Sequence, residues 1–273
     1  MSLRERRPRR PRPRRPSPEQ LRRGIYVIPS LFTVGNMLAG FASVLHAIEG
    51  RLELAGMLII LAGILDGLDG RIARLTNSTS EFGKEYDSLA DVVSFGVAPA
   101  ILAYQWGLRG MGRWGWLVAF LFVVAGSVRL ARFNVKSAHG DRRYFTGLPI
   151  PGGAGALTLM VLCDPDPVLD ARLTYAVWGF VLLISVLMVS TVPYRSFKDF
   201  NLRRRWPATT FFLIALVLGG VAVAWFPTMA LALGIYLVAG PVEYAARRLA
   251  RKPTPPPLSS AEVPSAPTHP ENP

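Results

Sequence analysis

The 273-residue chain carries 31 Lys and Arg against 18 Asp and Glu, a formal net charge of +13, and 51% of it is hydrophobic. The apolar residues fall in long blocks such as Leu54–Leu65, Trp114–Ser127 and Phe211–Phe226, close to the ~20 residues that match a bilayer's hydrocarbon thickness. That distribution excludes a soluble chain of one or two globular domains, and the single Cys163 excludes an intramolecular disulfide.

In chain order, residues 1–24 contain the run RERRPRRPRPRR. Proline every two or three residues keeps such a segment extended. Its place just before a span favours anionic headgroups over nucleic acid, so 1–24 is expected to be a disordered basic arm. Eight spans follow, at 29–48, 53–72, 85–107, 114–134, 149–164, 172–193, 208–226 and 228–246. The first apolar run is as long as a full span and has no small-residue cleavage site, which reads as a span and not a signal peptide. The tail 251–273, rich in Pro and Ser, reads as disordered.

The basic residues orient these spans. With both termini cytoplasmic, 27 of the 31 lie on the inner side, and the four outside are Arg51, Arg109, Arg113 and Arg172. Translocating Lys and Arg is unfavourable, and such a bias sets topology. The expected fold is therefore all-α: a polytopic transmembrane helix bundle of about eight spans with both ends inside. Cys163 reads as a small apolar filler, and His46, His139 and His269 are too scattered to form a ligand set.

The informative stretch is ILDGLDGRIARLTNSTSEFGKEYDSLADVVSFGVAPA, residues 64–100. Asp66 and Asp69 are three apart and share a helix face, and Asp87 and Asp91, four apart, do the same on the next helix. The short connection between them makes the helices antiparallel neighbours whose four carboxylates meet. Aspartate at mid-membrane costs roughly 2.5–3.5 kcal/mol on insertion scales, and four together repel one another. Protonation or bound cations must relieve that. Oxygen-only ligands point to Mg²⁺ or Mn²⁺. Solvated helix-end charges paired to Arg71, Arg74 and Lys84 are one alternative, and the carboxylates of a cation-coupled transporter are another. Gly70 and Ala73 leave room on the aspartate face, and Arg74 offers a planar fork of donors to phosphate. Together these suit a diphosphate better than a bare ion.

Asp66, Asp69, Gly70, Ala73, Arg74, Gly83, Asp87 and Asp91 fit D-x2-D-G-x2-A-R-x8-G-x3-D-x3-D at every fixed position. In this the chain resembles the CDP-alcohol phosphatidyltransferases. The resemblance covers about the first six spans, which makes 25–200 the expected core and 201–250 two additional spans. It implies an enzyme in which a hydroxyl attacks the β-phosphorus of a CDP-linked lipid and CMP leaves. By position, it implies that Asp66, Asp69 and Asp87 hold metal, with two ions expected. Asp91 would also ligate metal and act as general base, while Asp66, Asp69, Gly70, Ala73, Arg74 and Gly83 would line the CDP-lipid site. A homodimer is also implied.

PSLFTVGNMLAGF in the first span, SFGVAPA after Asp91, RLARFN at 129–134, FTGLPIPGGAG at 145–155 and VPYRSFKD at 192–199 resemble the membrane-embedded phosphatidylserine synthase branch of that family. This branch implies CDP-diacylglycerol and L-serine as substrates at a multi-pass inner membrane, with the site facing the cytoplasm. Glycerol 3-phosphate or inositol phosphate would be the acceptor in sister enzymes. Serine's carboxylate calls for a cation, and Arg132 and Arg195 are expected to supply it by a bidentate fork.

Overall fold

The computed structural model describes residues 18–75, 80–138, 145–194 and 223–250. These form seven helical stretches and one two-residue strand pair. The helices are α1 (Pro18–Ile48), α2 (Leu52–Leu75), α3 (Glu81–Met111), α4 (Arg113–Ala138), α5 (Ile150–Cys163), α6 (Ala171–Val189) and α7 (Trp225–Ala250). Strands β1 (Phe145–Thr146) and β2 (Pro193–Tyr194) pair antiparallel, Phe145 opposite Tyr194. The expected seventh span, 208–226, lies almost wholly outside the described residues, as do the tail 251–273 and Arg195.

Among the described residues, five helical stretches are long and apolar enough to cross a membrane: Leu31–Ile48, Glu81–Met111, Arg113–Val135, Ala171–Val189 and Trp225–Tyr244. The 24-residue α2 falls outside this set because Glu53, Asp66, Asp69, Arg71 and Arg74 interrupt it, and α5 is only 14 residues long. One boundary differs from expectation. Helix α1 begins at Pro18, inside the segment 1–24 expected to be extended. Proline is tolerated in a helix's first turn, where its missing N–H is not needed, and the Glu-Gln-Leu that follows favours helix.

Helices α1 and α2 form a tight antiparallel hairpin turning at Gly50, whose φ of 79° lies in the left-handed region. Helix α3 crosses this hairpin and also meets α4 and α5. It is not uniform: residues Val92–Val97 and Tyr104–Leu108 widen into π-helical turns, a distortion that often accompanies functional sites. Helix α5 lies inside the bundle, against α2, α3, α6 and α7. Gly153 faces Met188 and Ile184, where an added Cβ would approach to 3.1–3.2 Å. Such small residues let helices approach when lipid supplies no hydrophobic drive between them. Leu31, Leu38, Phe41 and Ile48 of α1 stay exposed, as a lipid-facing surface requires.

The strand pair ties the start of α5 to the end of α6. The Gly147 N–H donates to the Val192 carbonyl (2.9 Å) and the Leu148 N–H to that of Leu187 (3.0 Å). At the end of the bundle marked by the Gly50 turn, a cavity of about 1250 Å³ is lined by Trp106, Trp114 and Trp178 with Glu49 and Arg109. It contains none of the aspartates.

Candidate functional site

Asp66 stands on the C-terminal half of α2, and Asp87 and Asp91 on the first three turns of α3. The start of α3 is fixed locally: Ser80 caps it, its hydroxyl accepting from the Gly83 N–H at 2.9 Å. An added Cβ at Gly83 would lie 3.0 Å from that hydroxyl oxygen. Gly83 therefore keeps the cap close, and on the helix that starts there the four-residue spacing of Asp87 and Asp91 puts both on the same side.

The carboxylates of Asp66, Asp87 and Asp91 converge, each offering an oxygen within 4.8 Å of the others. All three are half-buried. Two charges at that separation repel by about 3 kcal/mol at an effective dielectric near 20. One oxygen each of Asp87 and Asp91 is buried with no hydrogen-bond partner. Buried acceptors of this kind are expensive unless satisfied, and a hard cation bridging three carboxylates satisfies them. The donor set thus fits a divalent metal.

Asp69, expected as the fourth member, is placed differently. It is 6% exposed and accepts a hydrogen bond from the Thr33 hydroxyl of α1. Its charge still acts on Asp66 and Asp87, so it borders the group. One turn further along α1, Asn36 is fully buried, with its amide head beside the Asp91 carboxylate. Thr33 and Asn36 therefore present one face of α1 to the aspartates. Their signal was present in PSLFTVGNMLAGF: polar Ser30, Thr33 and Asn36 recur every three residues in an otherwise apolar run.

Of the other expected residues, Gly70 follows Asp69 on α2, half-buried. Ala73 and Arg74 lie on the same helix, but their side chains are outside the described set. Arg132 donates from Nη1 to the Val189 carbonyl at the end of α6 (2.9 Å). Arg129, one turn earlier on α4, carries a charge that acts on Asp91. It is 7% exposed, with its guanidinium carbon 5.5 Å from the Phe133 ring centroid. Asn134 ties α4 to α3 by donating to the Ser88 hydroxyl (2.9 Å). Periodicity gave no reason to prefer Arg129, because both arginines close the same span.

Comparison with known proteins adds to this geometry. Residues 26–192 match the family described as CDP-alcohol phosphatidyltransferase. This chain belongs to that family. The proteins it is similar to include the CDP-diacylglycerol–serine O-phosphatidyltransferase of Helicobacter pylori (strain J99), 40% identical over 221 residues that cover 81% of this chain and 92% of that protein. The protein of the same name from Mycobacterium tuberculosis (strain CDC 1551) is 33% identical over 215 residues, covering 74% of this chain and 73% of that one. The archaetidylserine synthase of Methanothermobacter thermautotrophicus is 40% identical over 170 residues, 61% of this chain and 69% of its own. As a CDP-alcohol phosphatidyltransferase, the chain is an enzyme of phosphatidyl transfer.

Proposed function

We propose that this enzyme is a phosphatidylserine synthase, transferring the phosphatidyl group of CDP-diacylglycerol to the hydroxyl of L-serine with release of CMP. The observation that carries the reading is the convergence of Asp66, Asp87 and Asp91 in a chain whose relatives bear serine O-phosphatidyltransferase names. Asp66, Asp87 and Asp91, with Asp69 at their border, would hold the divalent metal, Mg²⁺ or Mn²⁺, two ions in all. When bound, the metal neutralises diphosphate charge as phosphorus is attacked.

The chain's own groups do the rest. Asp91 accepts the serine hydroxyl proton as the oxygen forms its bond to the β-phosphorus, and the bond from that phosphorus to the CMP oxygen breaks. Positioned proton acceptors of this sort contribute about 10²–10⁴-fold. Gly70, Ala73, Arg74 and Gly83 line the CDP-lipid side, where small residues admit the diphosphate and Arg74 provides a fork of donors. Arg132 and Arg195 serve the serine carboxylate. Attack is direct, without a covalent phosphatidyl-enzyme.

The same reading places eight spans across the inner membrane, with both termini and the aspartates on the cytoplasmic side, where nucleotide and serine are available. It divides the chain into a basic arm (1–24), a six-span core (25–200), two additional spans (201–250) and a Pro-rich tail (251–273). The working unit is a homodimer.

The deciding experiment offers purified protein labelled CDP-diacylglycerol with serine, glycerol 3-phosphate or inositol phosphate in parallel, with and without Mg²⁺ or Mn²⁺. Serine-dependent phosphatidylserine and equimolar CMP are expected. Product from another alcohol with none from serine overturns the acceptor assignment. Ion flux in liposomes with no lipid product favours a cation-coupled transporter. A CDP-archaeol arm tests the donor, since one relative is named for archaetidylserine.

A further inference from the structure

Helix α4 packs on α3 along the π-helical turn Val92–Val97, where an added Cβ at Gly96 would lie 3.9 Å from Cγ1 of Val123. The two helices run antiparallel from that contact, so later residues of α4 meet earlier residues of α3. Further along α4, the Asn134 side chain donates from Nδ2 to the Ser88 hydroxyl oxygen at 2.9 Å. Ser88 follows Asp87 in the chain and stands three residues before Asp91, its neighbour on the helix surface. The bond therefore fastens α4 to the turns of α3 that carry the converging carboxylates. It needs a donor at position 134. The Ser88 hydroxyl gives its single proton to the Lys84 carbonyl at 2.9 Å and can then only accept. An amide supplies the N–H, which an ionised aspartate or an apolar side chain does not.

Residues two apart on a helix point about 200° apart, so Arg132 and Asn134 leave α4 on opposite sides. Arg132 donates from Nη1 to the Val189 carbonyl at the end of α6, at 2.9 Å. That end is bonded in turn to the start of α5, through Leu148 to Leu187 and Gly147 to Val192, and Phe145 pairs with Tyr194. Three stretches that resemble the serine branch, RLARFN, FTGLPIPGGAG and the start of VPYRSFKD, are thus joined into one wall. The Asn134–Ser88 bond carries that wall to the aspartate helix.

We propose that Asn134 is a positioning residue of the acceptor site: through Ser88 it sets how far the wall bearing Arg132 stands from Asp91. This rests on the reading of the chain as a transferase with an anionic acceptor. Such an acceptor must bring its hydroxyl to Asp91 while its anionic end is held. Arg132 spends one of its five N–H groups on Val189 and keeps the others for that end. The span between the two points governs how well the acceptor is held, and small misplacements of reacting groups are costly. The CDP-lipid is received from the α2 side, at Gly70, Ala73 and Arg74, and does not depend on this span.

The test uses the full-length purified protein as wild type, Ser88→Ala, Asn134→Leu and the double variant. Ser88→Ala removes only the accepting hydroxyl, on a helix that alanine favours. Each single variant is expected to raise the KM for serine about fivefold, the scale of one neutral hydrogen bond, with the KM for CDP-diacylglycerol unchanged. The double variant is expected to be no worse than the more impaired single variant, because the same bond is lost each time. An unchanged serine KM in Ser88→Ala, an equal rise in both KM values, or single effects that multiply overturns the proposal. So does a loss confined to melting temperature and active fraction, the mark of a tie that serves folding alone. Should Asn134→Leu fail to fold, Ser88→Ala decides by itself. If the wild type uses a different anionic alcohol, the serine assignment fails, and the same KM comparison with that alcohol still decides the role of Asn134. A wild type with no turnover of any acceptor overturns both.

Discussion

The hydroxyl of Ser94 donates to the backbone carbonyl of Asn36 across 3.0 Å, joining α3 to α1 three residues after Asp91. The contact sits in the π-helical turn Val92–Val97 and is possible because residue 40, one turn beyond Asn36, is glycine. An added Cβ there would overlap the Ser94 hydroxyl and come within 2.7 Å of its Cα. The crossing of α1 and α3, and with it the place of Asn36 beside Asp91, depends on that close approach.

Gly40→Ala is therefore expected to push α1 away from α3. Overpacking of this kind costs about 1–3 kcal/mol, and the displacement also moves Thr33 and Asn36. A lower melting temperature in detergent and a loss of about tenfold or more in turnover should appear together. Full activity in Gly40→Ala would mean that the helix crossing does not position the aspartates.

Asp91→Asn keeps the shape of the side chain and removes its charge. Turnover is expected to fall by about 10²-fold or more, while the folded protein is retained and made no less heat-stable, because a repelling carboxylate has gone. Comparing the variant's rate and melting curve with the wild type checks both halves. Near-normal rates would remove Asp91 from the role of base.

Chelation should abolish activity, and Mg²⁺ or Mn²⁺ should restore it. Independently of turnover, either ion is expected to raise the melting temperature of the wild type, since ligands that bind only the folded state stabilise it. The shift should shrink in Asp66→Asn and Asp87→Asn, whose side chains belong to the converging group. An equal shift in all three proteins would place the ion elsewhere.

Thr33→Val removes the hydroxyl that donates to Asp69 at nearly constant volume. Groups that orient metal-ligating carboxylates typically change metal affinity by about 10–100-fold. The Mg²⁺ concentration for half-maximal activity should rise by about tenfold, with the rate at saturating Mg²⁺ recovering most of its wild-type value. A Mg²⁺ requirement identical to wild type would leave the Thr33 contact with packing alone.

Gly147 supplies a test away from the aspartates. Its φ is 87°, and a Cβ would overlap the Met188 carbonyl oxygen and approach that of Ser190 to 2.9 Å. Gly147→Ala is expected to cost about 2 kcal/mol or more, measured as a fall in the detergent melting midpoint.

Much of this protein was legible from local rules. Helical spacing put Asp66 with Asp69 and Asp87 with Asp91 on shared faces because periodicity is a property of a single helix, and the lengths of apolar runs marked the helices because bilayer thickness sets that length. The eight-residue signature likewise lies within one helix pair. Partnership between distant helices was not legible. Asp69 turns to Thr33, Arg132 donates to the Val189 carbonyl, and Tyr194 meets the Leu237 carbonyl of α7 from far along the chain. Those pairings depend on how closely helices cross, which is set by Gly40 against Ser94 and Gly240 against Tyr194. A glycine in a sequence does not say which neighbour it makes room for; only the packed bundle decides that.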